Sequence, residues 1–195
     1  MGLTGISMYQ ENMSTILFVP GLRDHVADHW QTLLANSLPG SRTVSALERD
    51  KLSCRARIEA LNNAIEAIDG PVILVAHSAG VLMVVHWAQQ YSRPIKGAVL
   101  ASPADVETPL PDGYPRIDDL RNNGWLPIPR NPLPFRSIVA ASTNDPLARF
   151  SRVEELARDW NSELVNVGEV GHLNPAAGYG PWPRAKIYID ALNEM

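Results

Sequence analysis

The stretch "VILVAHSAGVLMVV", residues 72–85, decides the architecture. Val72 to Val75 form an uninterrupted apolar run, the pattern of a strand buried on both faces, and "GVLMVVHWAQQ" (80–90) then continues as a helix. Only a sharp turn fits between them, and it carries Ser78. The positions two before and two after this serine are small, Ala76 and Gly80. Small residues are needed where the backbones of strand and departing helix pass close together. Glycine is the usual residue at the first of these positions. Alanine suffices if that residue keeps an ordinary extended backbone.

The same alternation of strand and helix extends in both directions. Upstream, "TILFV" (15–19) reads as a buried strand and "HWQTLLANSL" (29–38) repeats apolar residues at helical spacing. "SRTVSAL" (41–47) is a weaker strand, and "ARIEALNNAIEAI" (56–68) is a helix with Ile58, Leu61, Ile65 and Ile68 on one face. Downstream come a strand in "IKGAVLAS" (95–102), another in "RSIVAAS" (136–142), the helix "RVEELARDW" (152–160), the strand "ELVNV" (163–167) and a closing helix through "RAKIYIDAL" (184–192). About six strands separated by helical crossovers predict an α/β fold, a three-layer α/β/α sandwich around a mostly parallel sheet. One domain is expected over residues 14–195, with residues 1–13 as a disordered extension. Residues 103–134 break the rhythm: they hold 8 of the 16 prolines and no clear period, so they read as an irregular excursion that could roof a pocket.

Composition excludes several classes of function. Seventeen Lys and Arg against 21 Asp and Glu, a formal charge of −4, leave no basic excess to bind nucleic acid or an anionic membrane. No apolar stretch reaches the length of a membrane span, and "MGLTGISMYQENM" (1–13) lacks the basic head and apolar block of a secretory signal. The single cysteine, Cys54, can form no internal disulfide, which favours a reducing cytoplasm. Its place in the first turn of an amphipathic helix, without a neighbouring histidine, argues against thiolate chemistry.

A serine exposed at such a bend, backed by a helix N-terminus, has the layout of a nucleophile elbow. Its hydroxyl needs a histidine to take the proton, and the histidine needs an acid to fix its tautomer. Asp145, in "AASTNDPLARF" (140–150), follows a predicted strand end, and His172, in "NVGEVGHLNPAAGYGPWP" (166–183), lies in the loop after the last strand. The chain order serine, aspartate, histidine is that of the α/β-hydrolase triad. The backbone N–H of Ala79 is the first expected oxyanion donor, and that of Leu22, in "VPGLRDH" (19–25), the second.

Other residues compete for these roles. His77 should point away from Ser78 across the turn, which makes it an elbow residue and not the base. Asp105 also follows a predicted strand and is an alternative acid, ranked below Asp145. His86 reads as a packing or surface histidine. Asp24, His25, Asp28 and His29 could present two imidazoles at one-turn spacing, but no third metal ligand is indicated, and the ordinary account is an acid-rich helical turn with Trp30 packed beneath. An interaction module using Trp125 and the proline-rich excursion on a hydrolase scaffold is the alternative from a different class.

The segments "VPGLRDHVADHWQ" (19–31), "AHSAG" (76–80), "STNDP" (142–146) and above all "GHLNPAAGYGPWP" (171–183) together resemble the RBBP9/YdeN family of small serine hydrolases. The resemblance runs from about Ile16 onward. It implies a minimal α/β-hydrolase fold without a large cap, with Ser78, Asp145 and His172 on the triad positions. It further implies hydrolase chemistry but no particular substrate; the expectation drawn from the triad is cleavage of small acyl esters or amides through an acyl-enzyme that requires no metal or organic cofactor.

Overall fold

In the computed structural model, which describes residues 13–194, the predicted alternation is present. The strands are β1 (Thr15–Val19), β2 (Arg42–Thr43), β3 (Val72–His77), β4 (Gly97–Ala101), β5 (Ser137–Ala141) and β6 (Glu163–Asn166). The helices are α1 (Trp30–Ser37), α2 (Cys54–Glu66), α3 (Ala79–Gln90), α4 (Ile117–Asn122), α5 (Phe150–Asp159) and α6 (Arg184–Asn193). Residues 1–12, and with them nearly all of the expected N-terminal extension, lie outside the described residues.

The strands form one six-stranded sheet in the order β2-β1-β3-β4-β5-β6. Every neighbouring pair is parallel, with Leu17 opposite Leu74 and Val19 opposite Ala76 in the central pair. Alternate residues of each inner strand enter two separate cores. Leu17, Val19, Leu74, Ala76, Leu100 and Val139 face one side, and there they meet α2, α3 and α5. Phe18, Val75, Val99 and Ile138 face the other, against Trp30 of α1 and Ala185, Ile189 and Leu192 of α6. Burial on both faces is why these strands read as continuous apolar runs and not as alternating ones. Helix α3 is buried at eight of its positions, from Ala79 to Val85 and at Trp87, so it lacks the polar face of an ordinary surface helix.

Three sequence expectations need correction. The strand expected over 41–47 shrinks to Arg42–Thr43, both exposed, because it is a sheet edge with one partner only. Residues 23–29 are turns and not a helical turn. Asp24 has φ 55°, and the helix begins only where the His29 Nδ1 accepts the Gln31 N–H, so the one-turn spacing of Asp24, His25, Asp28 and His29 does not arise. The excursion contains a short helix, α4, that its composition concealed.

The excursion is fastened to the body at several points. Trp125 is fully buried, its Nε1 donates to the Leu52 carbonyl at 2.7 Å, and its own carbonyl accepts from His86 Nε2 at 3.2 Å. Trp160 Nε1 donates to the Pro129 carbonyl at 2.8 Å. Glu107 accepts from both Arg130 and Arg152, and Arg130 also pairs with Asp159. Trp125 therefore packs in the core and presents no ring to a docking partner, which removes one of the two features, Trp125 and the proline-rich excursion, on which the interaction-module reading rested. No helix among the described residues is long and apolar enough to cross a membrane.

Candidate active site

The sheet order reverses between β1 and β3, since β2 lies to one side of β1 and β4 to β6 lie beyond β3. In open parallel sheets the crevice beyond the strand ends at such a reversal is where ligands bind. Ser78 stands there, between the end of β3 and the start of α3, with φ 57° and ψ −123°. That backbone conformation is costly for a non-glycine residue, by about 1–3 kcal/mol, and persists only when its surroundings impose it. Two of those surroundings are visible. The Ser78 N–H donates to the Ala101 carbonyl at 3.0 Å. Gly80 lies so close to β1 that a Cβ there would sit 2.2 Å from the Val19 carbonyl oxygen and 2.9 Å from that of Pro20. The small residue expected on packing grounds is thus demanded by a backbone contact.

The structure brings Ser78, His172 and Asp145 together, although 94 residues separate the first two and 27 the last two. The His172 Nε2 lies 2.8 Å from Ser78 Oγ, and Nδ1 lies 3.0 Å from each Asp145 oxygen. A carboxylate can only accept, so Nδ1 carries the proton and Nε2 offers its lone pair to the serine hydroxyl. Asp145 also accepts the Leu147 N–H at 2.9 Å, which fixes the carboxylate plane. The two loops are stitched to one another beyond these residues. The Gly171 N–H donates to Asn144 Oδ1 at 2.7 Å, and the Val170 N–H to Ser142 Oγ at 3.3 Å.

Ala79 is the first residue of α3, where backbone N–H groups have no intrahelical partner. The loop carrying Leu22 lies alongside: a Cβ on Gly21 would sit 3.5 Å from Ser78 Cβ and 3.8 Å from the Ala79 nitrogen. The alternative acid, Asp105, is buried elsewhere, accepting from the Glu107 N–H at 3.1 Å and Thr108 Oγ1 at 3.1 Å and pairing with Arg152. Cys54 is buried, and burial pushes its thiol up to about 12. Among the described residues no group of three or more His, Cys, Asp or Glu side chains is arranged to hold a metal ion.

Sequence reasoning missed what His77 does. Its side chain turns away from Ser78, as expected, but its Nε2 lies 2.8 Å from the carbonyl oxygen of His172. Burial, with His172 and His29 adding to it, holds the His77 imidazole well below its ordinary range, so it is neutral and donates that bond. The residue before the serine thereby ties down the backbone of the histidine it faces. A backbone acceptor leaves no mark in sequence, so only the position of His77 beside the serine could have hinted at this. His29 stacks edge-on against His77 with ring centroids 4.6 Å apart, and it is lowered to about 4 by burial and by His172, against an opposing pull from Asp28.

These two neutral imidazoles carry a pH signature. The unfolded chain binds protons near the ordinary histidine value of about 6.5, whereas folded His29 binds one only near 4. The unfolded state therefore gains protons first. Stability is full above about pH 6.5, declines as pH falls, and for His29 the loss levels off below about 4, amounting to on the order of 3 kcal/mol. Denaturant midpoints measured between pH 7.5 and 4 should show this decline. His29→Asn, which keeps a capping side chain, should flatten part of it, and His77 should account for a further part. An unchanged slope in His29→Asn would refute the assignment.

A cavity of about 370 Å³ opens at Ser78, a size that suits a small molecule. Ala104, Val106, Leu110, Leu120, Trp125 and Leu147 supply an apolar set of lining residues. Thr32, Asn36, Thr43 and Asn174 supply a polar set, Asn174 following His172 in the chain.

A parallel sheet with helices on both faces, and a strained serine at its reversal point, define the α/β-hydrolase class. More narrowly, the chain belongs to the serine hydrolase family, whose model matches residues 16–191. Among solved structures it is similar to a YdeN-like hydrolase from Pectobacterium atrosepticum, at 31% identity over 97% of this chain and 94% of that one, with a TM-score of 0.79. The ydeN gene product of B. subtilis aligns at 18% identity over 93% and 100% of the two chains, with a TM-score of 0.69. Est1E from Butyrivibrio proteoclasticus aligns at 13% identity over 94% and 88%, with a TM-score of 0.65. These last two likenesses carry the fold alone. No curated protein matches the chain.

Proposed function

We propose that this protein is a cytoplasmic, cofactor-independent hydrolase of small acyl esters or amides, acting through an acyl-enzyme. The observation that carries this reading is the linked geometry of Ser78, His172 and Asp145, at 2.8 and 3.0 Å. Ser78 Oγ attacks the substrate carbonyl while His172 Nε2 takes its proton, and Asp145 holds the imidazole in the required tautomer and stabilises it once charged. The carbonyl oxygen becomes an oxyanion held by the N–H groups of Ala79 and Leu22. His172 returns the proton to the departing alcohol or amine, and water then reverses the sequence to release the acid and free Ser78.

The proton's path divides the substrate between the cavity's lining residues. The leaving group must lie within reach of His172 Nε2, and we assign it to the polar lining residues, of which Asn174 is two positions from His172 in the chain. The acyl group is assigned to the apolar lining residues, Val106, Leu110 and Leu120 among them. A polar alcohol or amine joined to an apolar acyl group of modest length is the substrate class that suits both.

Two measurements test the reading together. A fluorophosphonate should attach to Ser78 in the folded protein, seen by mass spectrometry of the labelled peptide. Across p-nitrophenyl esters of graded acyl length, kcat/KM should rise with chain length and then fall once the apolar side is full, with Val106→Trp moving that maximum to shorter chains. Failure to label Ser78 would overturn the hydrolase reading; a maximum that Val106→Trp leaves in place would overturn only the acyl-side assignment.

A further inference from the structure

We infer that Arg57, a buried cation with no place in the reaction itself, positions the loop that supplies the second oxyanion donor. The inference rests on the proposed function above and assigns a role within the same site. Arg57 lies on α2, and only 4% of its surface is exposed. A guanidinium so far from water has to be fully engaged, since an unpaired buried charge is strongly destabilising. Its bonds account for that engagement, and most of them converge on one short segment.

Gly21 to Asp24 form a turn closed by the Asp24 N–H on the Gly21 carbonyl at 3.1 Å, with Asp24 at φ 55°. Arg57 grips this turn from below. Its Nη1 donates to Asp24 Oδ1, and its Nη2 lies 3.3 Å from the Leu22 carbonyl oxygen and 3.5 Å from Asp24 Oδ2. The third nitrogen, Nε, donates to the Lys51 carbonyl at 2.8 Å and so anchors the guanidinium to the segment leading into α2. The turn is thus braced through both its backbone and its only carboxylate, that of the partly buried Asp24. Gly21 lies beside the nucleophile turn, where a Cβ added to it would come within 3.5 Å of Ser78 Cβ and 3.8 Å of the Ala79 nitrogen. The direction of the Leu22 N–H therefore depends on a fork of donors seated beneath it.

Arg57 touches none of the reacting atoms and is a positioning residue. Lysine at this site would keep the charge but not the planar fork, so it could not hold the Leu22 carbonyl, the Asp24 carboxylate and the Lys51 carbonyl at once. The loss should appear where the oxyanion forms. Substrate binding in the ground state should change little, because the N–H is required in the transition state.

The test compares Arg57→Lys and Asp24→Asn with wild type. Asparagine tolerates the positive φ of residue 24 and removes only the charge. With a p-nitrophenyl ester, Arg57→Lys should lower kcat by about 10- to 100-fold, less than the roughly 10²–10³-fold expected when an oxyanion donor is deleted outright. KM should stay within about threefold, as expected for loss of an interaction made only in the transition state. Affinity for a trifluoromethyl ketone, which adds to Ser78 to give a tetrahedral oxyanion, should weaken by the same factor as kcat. Asp24→Asn should shift both quantities in the same direction by less, and it decides the matter if Arg57→Lys does not fold, as judged by thermal melting. A folded variant with wild-type kcat and ketone affinity, or one altered in KM alone, overturns the role of Arg57. If Ser78 still takes the fluorophosphonate, the hydrolase reading survives that result. If wild-type Ser78 does not take it, both fall.

Discussion

Ser78→Ala should lower kcat for p-nitrophenyl esters by about 10⁶-fold, the scale on which serine hydrolases lose turnover when the nucleophile is removed. Without the hydroxyl no acyl-enzyme forms, and what remains is the contribution of the oxyanion donors and of substrate binding. The fold should be indifferent to the change. The strained backbone at position 78 is imposed by the Ala101 bond and by the contact of Gly80 with β1, neither of which involves the serine side chain. The melting temperature should therefore stay within a few degrees of wild type, which separates lost chemistry from lost structure. Turnover within tenfold of wild type, in a preparation shown to carry the substitution, would end the case for Ser78 as nucleophile.

Asp145→Asn should cost about 10⁴-fold in kcat, the loss expected when an acid that fixes the histidine tautomer is replaced by its amide. The local bonds give the reason. Asp145 Oδ1 accepts the Leu147 N–H, so the amide oxygen of asparagine stays there and its NH2 takes the place of Oδ2, against His172 Nδ1. An NH2 donor requires a lone pair on Nδ1. That moves the imidazole proton to Nε2, where it points at Ser78 Oγ in place of the acceptor that the reaction needs. Asp105→Asn is the control. Its carboxylate is occupied by the Glu107 N–H, Thr108 and Arg152, and it makes no bond to His172. Steady-state kinetics on both variants should show an effect of less than about tenfold for Asp105→Asn, a change too small for an acid that sets the tautomer. The reverse ranking would mean that the acid has been misassigned.

Much of the fold is legible in the sequence because the inner strands are buried on both faces, and such strands leave unbroken apolar runs that few other arrangements produce. The tight bend at residues 76–80 was equally plain, since close backbone approach restricts side-chain size. β2 was overestimated for the complementary reason: an edge strand with exposed residues has no burial to enforce a pattern. α4 is six residues long, too short for a period to register among prolines. In "RDHVADHW" (23–30) a helical spacing of histidines was apparent, but the positive φ of Asp24 breaks it.

The site divides along a similar line. Ser78, Asp145 and His172 could be picked out because the chemistry proposed for them needs those side-chain types and their chain order matches the strand ends that present them. The supporting bonds could not. His77 reaches a carbonyl of His172, Arg57 reaches carbonyls of Leu22 and Lys51, and Asn144 reaches the N–H of Gly171. Any residue type can supply a backbone partner, so nothing in composition or spacing points to such a contact.

The many fastenings of residues 103–134 bear on how this protein meets its substrate. A wall pinned by two tryptophan indoles and a chain of alternating charges does not have to be recruited when a ligand arrives, so binding spends little free energy on ordering the chain. Selectivity should then come from the shape that this wall already has. Compounds bulkier than the cavity should meet a barrier of shape that closure of a loop would not relieve.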